Sequence, residues 1–219
     1  KFIGESGRFL IQVQPKVDIW EKVGAAQFVR EMRTVDPDVT GPPVITYEAT
    51  VLMERAYLTG TLYAFVLVGG LSVLMIRRLR ESMLALIPMV LALLWTIGLM
   101  QVFGIKFNLA NIWGLPLIIG TAAEFGLNVI VSHLEVRAHR GHLLARSAVM
   151  GVMLNGLTTM VGFGSLMIAS HRGIFSLGLL LTLGSFCGLV ASLVVLPVVL
   201  RLLTPAAEET PVIESSSAA

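Results

Sequence analysis

Five apolar runs divide this chain, and its pattern changes near residue 54. Ala56–Ile76, Met83–Phe103, Trp113–Leu134, Ala148–Ala169 and Ile174–Leu203 are almost uninterrupted in apolar residues. A helix needs about 20 mostly apolar residues to cross a hydrocarbon core roughly 30 Å thick, so each run predicts a membrane span. The last run exceeds that length, which predicts tilt or an interfacial first turn. Only Ser170-His171-Arg172-Gly173 separates the fourth run from the fifth, a tight hairpin.

Before residue 54 the chain has a water-facing character. Ile11 and Val13 alternate with Gln12 and Gln14, a strand pattern over Arg8–Gln14 that Pro15 ends. Asp18 and Glu21 have the spacing of a capping box. The helix they open places Ala25, Phe28, Val29, Met32 and Val35 on one face. Asp36-Pro37-Asp38 and Gly41-Pro42-Pro43 are turn chemistry, and Val44–Tyr47 returns as a strand. Such a β-α-β piece is too small to bury its own core. The expected fold class is membrane all-α: a five-helix transmembrane bundle with a small N-terminal β-α-β piece. The expected boundaries are 1–53 for the external piece, 54–203 for the transmembrane domain and 204–219 for a tail. The tail carries Glu208, Glu209, Glu214 and a Ser/Ala end, the composition of a disordered segment.

The third run, Trp113–Leu134, contains one residue that apolarity does not explain. Glu124 lies roughly 16 Å along the helix from Trp113 at about 1.5 Å per residue, near mid-membrane. An acid there is unfavourable by about 2.5–3.5 kcal/mol on insertion scales. Such residues face a bundle interior and mark ion or proton paths. Residues three and four apart share a helix face, so Gly120, Thr121, Glu124, Asn128 and Ser132 form a small, polar stripe, with Ile118, Ile119, Phe125, Val129 and Ile130 mainly elsewhere. The bland reading is a packing face with one hydrogen-bonded acid; the sharper one is a carboxyl that takes up and releases a proton. The fourth run has a matching stripe of Ser147, Gly151, Asn155, Thr158 or Thr159, Gly162, Ser165 and Ala169. Small residues let helices approach, and Asn and Thr hydrogen-bond across the gap. A relay of Glu124, Asn155, Thr158 and Thr159 is therefore expected, with Gly120, Asn128, Gly151 and Gly162 in the packing seam. Gly184 and Gly188 in the fifth run form a further packing signal.

Composition narrows the class. The 219 residues are 55% hydrophobic with a formal net charge of +2 and a mean hydropathy of +0.83, which argues a multi-pass membrane protein. Cys187 is the lone cysteine, so no intrachain disulfide forms. No nucleophile elbow, phosphate loop or zinc pattern appears, so no catalytic residue, metal or cofactor is expected. Arg77, Arg78 and Arg80 follow the first run, and Arg137, Arg140 and Arg146 follow the third; the opposite loops hold only Lys106 and Arg172. The arginine-rich side is expected to be cytoplasmic, as is the tail, and the N-terminal piece external. The first residue is Lys1 rather than Met, which reads as a portion of a longer protein.

A soluble piece, one span, an arginine loop, four further spans and an acid in the third resemble the C-terminal half of RND-superfamily transporters over nearly the whole chain. The likeness is to the MMPL-type branch, most of all the hopanoid-biosynthesis-associated RND transporters. It is carried by Gly120-Thr121-Ala122-Ala123-Glu124-Phe125-Gly126-Leu127-Asn128. Many relatives have Asp-Tyr where this chain has Glu124-Phe125, so the acid persists and the tyrosine hydroxyl is lost. The resemblance implies two pseudo-repeats of spans, each with an external domain, and a proton flux through a mid-membrane acid. It further implies a homodimer in the inner membrane, completed by an N-terminal half, that moves a hopanoid-like lipid toward the outer membrane. Competing readings are an RND-like protein that assists protein translocation or senses sterol-like lipids, and a structural anchor for an external domain.

The orientation is testable directly. A cysteine label at Gly141 is expected to react from the cytoplasmic side and one at Asn108 from outside. Labelling of Gly141 from outside only would overturn the assignment.

Overall fold

The computed structural model describes residues 11, 13–16, 18–19, 22–108, 110–139 and 146–203. Every regular element among them is helical. The chain divides into two compact units, Lys1–Ala56 and Tyr57–Ala219.

In the first unit, α1 (Lys22–Val35) buries Ala25 and Val29 and leaves Val35 exposed. Val44 is buried, and the Arg33 guanidinium pairs with the Glu48 carboxylate at the surface. The expected β-α-β piece is not found among the described residues. Val44–Tyr47 is helical, inside α2 (Pro42–Ile76). The chain turns at Pro37 and Asp38, where Asp36 accepts from the Asp38 and Val39 N–H groups; Gly41 follows at φ +137°, and Pro42 and Pro43 are the first helical residues. Proline suits that position because its missing N–H has no partner in a first turn, and its φ is already helical. The β-branched run Val44-Ile45-Thr46 favoured a strand, but the proline pair nucleates a helix over it. Most of the expected Arg8–Gln14 strand and Glu21 of the capping box lie outside the described residues; Ile11, Val13 and Gln14 show no strand.

Five helical stretches are long and apolar enough to cross a membrane: Pro42–Ile76, Leu79–Val102, Gly114–Val136, Arg146–Ile168 and Arg172–Leu203. Arg77, in the left-handed region at φ +55°, ends α2. The second stretch is broken into α3 (Leu79–Ala85) and α4 (Ile87–Val102). Pro88 offers no N–H to the carbonyl four residues back, and Leu86 makes a tighter bond to Met83 instead. The third is α5 (Gly114–His139). The fourth is α6 (Arg146–Ser165), finished by a 3₁₀ turn over Leu166–Ile168. In the fifth, α7 (Arg172–Val190) and α8 (Leu196–Leu203) are joined by a π-helical turn, Ala191–Val195. Pro197 explains that turn as well, since it cannot donate to the carbonyl of Leu193.

The core lies around α5. One cluster joins Met89, Ala92 and Met100 of α4 to Ile118, Ile119 and Ala122 of α5 and Leu180, Leu181 and Cys187 of α7. A second joins Ala85, Phe125, Val129, Ile130, Val152, Leu196 and Leu200. Glycines set the approach. A Cβ at Gly126 would run into the carbonyl oxygen of Ala85, and one at Gly184 into the side chain of Ile118. At one end, Arg80 Nη2 donates to the carbonyl of Leu203 at 2.9 Å, tying the turn after α2 to the last helix.

A methyl at Gly126 must displace backbone, whereas Gly151 has nothing within 4 Å of a Cβ position. Overpacking of this kind costs about 1–3 kcal/mol. Gly126→Ala is expected to lower the thermal midpoint of the detergent-solubilised chain clearly, and Gly151→Ala to leave it near that of the parent. Equal midpoints would remove the Gly126–Ala85 contact as a determinant of the bundle.

Candidate functional site

Glu124 stands on the outward side of α5. Ile118, Ile119, Ala122, Ala123, Phe125, Val129 and Ile130 are all buried, whereas Gly120, Glu124 and Asn128 are exposed, Thr121 is half-buried and the stripe goes under cover only at Ser132. An intramembrane acid is expected to face a bundle interior; among the described helices Glu124 stands on the exposed side. The apolar flanks of α5 are used against α4 and α7 on one side and against α3 and α8 on the other. The small, polar strip between them is what remains to face outward.

One bond crosses from α6. The Asn155 amide nitrogen donates to Glu124 Oε1 at 2.8 Å. Asn155 is half-buried. The distance is an ordinary one for an amide donating to a carboxyl oxygen, and Glu124 has no ion pair among the described residues. Thr158 does not reach the acid: its hydroxyl donates back to the carbonyls of Leu154 and Asn155 at 3.0 and 2.9 Å. This is the usual way a mid-helix threonine satisfies itself. Thr159, on the same helix, is half-buried and makes no bond to the carboxylate. The structure thus brings Glu124 and Asn155 together and leaves the two threonines beside them.

The seam glycines separate into two groups. Gly120, Gly151 and Gly162 have nothing within 4 Å of a Cβ position, and Asn128 is exposed. They do not hold the described helices against one another; they extend the open face around the Glu124–Asn155 pair. Gly184 and Gly188 lie against Ile118 and Ala122 of α5. The close contact of α6 is made instead by Gly156, against Leu189. Gly156 lies one position beyond the Asn155 stripe, a shift that counting in threes and fours along a single helix cannot resolve.

A second polar cluster closes the opposite edge of the bundle, and the residue pattern gave no warning of it. Asn111 is fully buried. Its amide donates to the carbonyl of Lys106 at 3.0 Å and to Ser176 Oγ at 2.8 Å, while its Oδ1 accepts from the backbone of Asn108 at 2.8 Å. Asn108 also donates to Ser176 Oγ at 3.1 Å and accepts from the N–H of Ala110 and Asn111. The knot fixes the α4–α5 loop to the start of α7, where His171 accepts from the Gly173 N–H. It is satisfied within itself and reads as structural.

His133 is buried in α5, and no group of three or more His, Cys, Asp or Glu side chains among the described residues is placed to hold a metal. His142 lies outside the described residues.

Five apolar helices carrying a mid-span carboxylate define a multi-pass membrane protein. No family model matches the sequence. The chain is 27% identical over 203 residues to the hopanoid transporter HpnN of Burkholderia multivorans, covering 91% of this chain and 23% of that protein. It is likewise 27% identical over 193 residues to the hopanoid transporter HpnN of Rhodopseudomonas palustris, covering 88% of this chain and 22% of that protein. The resemblance to hopanoid transporters therefore runs along nearly the whole chain, and the chain spans less than a quarter of the length of these curated relatives.

The two polar clusters differ in what they support. Removing a fully buried side chain such as Asn111 leaves its partners unsatisfied, at about 1–3 kcal/mol. Asn111→Ala is expected to destabilise the solubilised chain by that amount and Asn155→Ala by less than about 1 kcal/mol, because Asn155 makes one side-chain bond on an exposed face whereas the buried Asn111 makes three. Chemical or thermal melts giving the reverse order would show that the Glu124 pair, not the knot, carries the fold.

Proposed function

We propose that this chain is part of the second repeat of an RND-type transporter that moves a hopanoid-like lipid from the inner membrane toward the outer membrane, driven by proton uptake at Glu124. The observation that carries the reading is the Glu124–Asn155 pair near mid-span on a small, polar, outward face. That face is a poor one to present to lipid tails, since a central acid alone is unfavourable by about 2.5–3.5 kcal/mol. Other helices of a longer protein cover it in this reading, and the likeness to proteins about four times longer supports that. The N-terminal half of the same polypeptide is the proposed cover, and the transporter acts as a homodimer.

The chemistry follows from the two side chains. An ionised carboxylate only accepts, whereas a protonated one also donates; an asparagine amide offers N–H to the first and its carbonyl to the second. Asn155 therefore accompanies either state of Glu124 by turning its amide. The two states differ in charge, so they prefer different arrangements of whatever lies against the face, and proton binding biases one arrangement over the other. Phe125 is fully buried and carries no hydroxyl, so the route does not pass through the residue next to the acid.

Glu124→Gln keeps the size and a hydrogen-bonding group but cannot titrate. In the full-length transporter it is expected to abolish lipid transport under an imposed proton gradient while expression and assembly stay near the parent level. Glu124→Asp retains partial transport. Parental rates in Glu124→Gln would leave the acid a purely structural role and end the coupling reading at this residue.

A further inference from the structure

A groove of 520 Å³ runs between α2 and the α3–α4 stretch, away from the Glu124 face. Its walls are apolar throughout, with Phe65, Gly69, Gly70 and Val73 on one side and Met83 and Leu86 on the other. The size falls within the range of small-molecule sites, roughly 300–1,000 Å³. A Cβ at Gly69 would meet Leu86 Cδ1 at 3.8 Å, an ordinary van der Waals contact, and one at Gly70 would meet nothing within 4 Å. The groove is therefore open along both glycines.

One end of the groove meets a cationic turn. Val73 lies one helical turn before Arg77, and Met83 three residues after Arg80. Arg80 is committed to the carbonyl of Leu203. Arg77 and Arg78 are exposed, and neither guanidinium has a hydrogen bond or ion pair among the described residues. Glu81, half-buried, is the acid in this turn. Arg77 occupies the left-handed region that glycine normally takes at a helix end. An arginine there, rather than glycine, adds a second cationic side chain to the turn despite an unfavourable backbone. A guanidinium binds phosphate in a two-pronged fashion that suits a headgroup.

We propose that this groove binds one anionic phospholipid, its phosphate at Arg77 and Arg78 and an acyl chain along Gly69 and Gly70. The charge of the turn selects the occupant: a neutral polycyclic lipid would fill the apolar walls without using the arginines, and a zwitterionic phospholipid offers the same phosphate but adds a cation that the arginines repel. The site rests on the chain lying in a membrane, and neither on transport nor on Glu124, so it stands or falls separately from the reading above.

Native mass spectrometry of the detergent-solubilised chain, titrated with phosphatidylglycerol and with phosphatidylcholine of the same acyl chains, tests it. The parent is expected to prefer phosphatidylglycerol, by about fivefold for each arginine engaged. R77Q/R78Q should erase the preference, and R77K/R78K should keep most of it. G70L, which fills the open groove, should weaken both lipids alike. Thermal melts check that each variant folds, and the single variants R77Q and R78Q serve if the double one does not. Equal binding of the two lipids by the parent, or an undiminished preference in R77Q/R78Q, would overturn the proposal. So would unchanged binding in G70L.

Discussion

The arrangement depends on how closely α5 approaches α3 and α7. In a bilayer apolar burial does not drive helices together, because lipid tails are as apolar as leucine; close contact between small residues does. Gly126 against the Ala85 carbonyl and Gly184 and Gly188 against Ile118 and Ala122 provide that contact at successive levels. With α5 pinned on both flanks, its rotation is fixed, and so is the direction of Glu124. The outward acid is a consequence of where the glycines are.

Polar groups are treated in three ways inside this apolar frame. Thr96, Thr121, Thr158, Thr182 and Ser72 return their hydroxyls to their own helix. Asn108, Asn111 and Ser176 form a closed knot at one end. Ser132, Ser185 and Ser192 are buried with no hydrogen-bond partner among the described residues. Glu124 and Asn155 fit none of these, because their bond joins two helices and is left open on one side.

Much of the helical layout was legible in the sequence because hydrophobic length is a strong signal. The five runs predicted five helices, and the observed ends differ by a few residues, except at α2. There Pro42-Pro43 can end one element or open another, and the β-branched residues after it tipped the reading toward a strand. The internal breaks at Leu86 and Ala191–Val195 follow from Pro88 and Pro197, yet an apolar run conceals them. At the site, the spacing of Glu124 and Asn155 on small, polar stripes pointed to their pairing. Which glycines pack was less legible. Gly126 and Gly156 sit among apolar neighbours and make close contacts, while Gly151 and Gly162 sit on the conspicuous stripe and make none. A one-dimensional stripe marks the face that differs from lipid, and that face need not be the one turned toward the nearest helix.

The framework also constrains how the proposed proton coupling would be expressed. α5 is fixed to α7 through Gly184 and Gly188. α6 is fixed to α7 through Gly156 against Leu189, and through Gly178, whose Cβ position meets the backbone of Phe163 and Met167. Both helices that carry the pair are thus referred to the same third helix, and separating them would break contacts at several levels. The amide of Asn155 can turn within its own side chain at far smaller cost. A change in the charge of Glu124 is therefore absorbed locally on the inner side and expressed on the outer one, against whatever covers Gly120, Asn128, Gly151 and Gly162. Those side-chain-poor positions allow a covering helix to come close enough to sense the carboxylate, and a close helix is the one whose position depends on whether that carboxylate is charged.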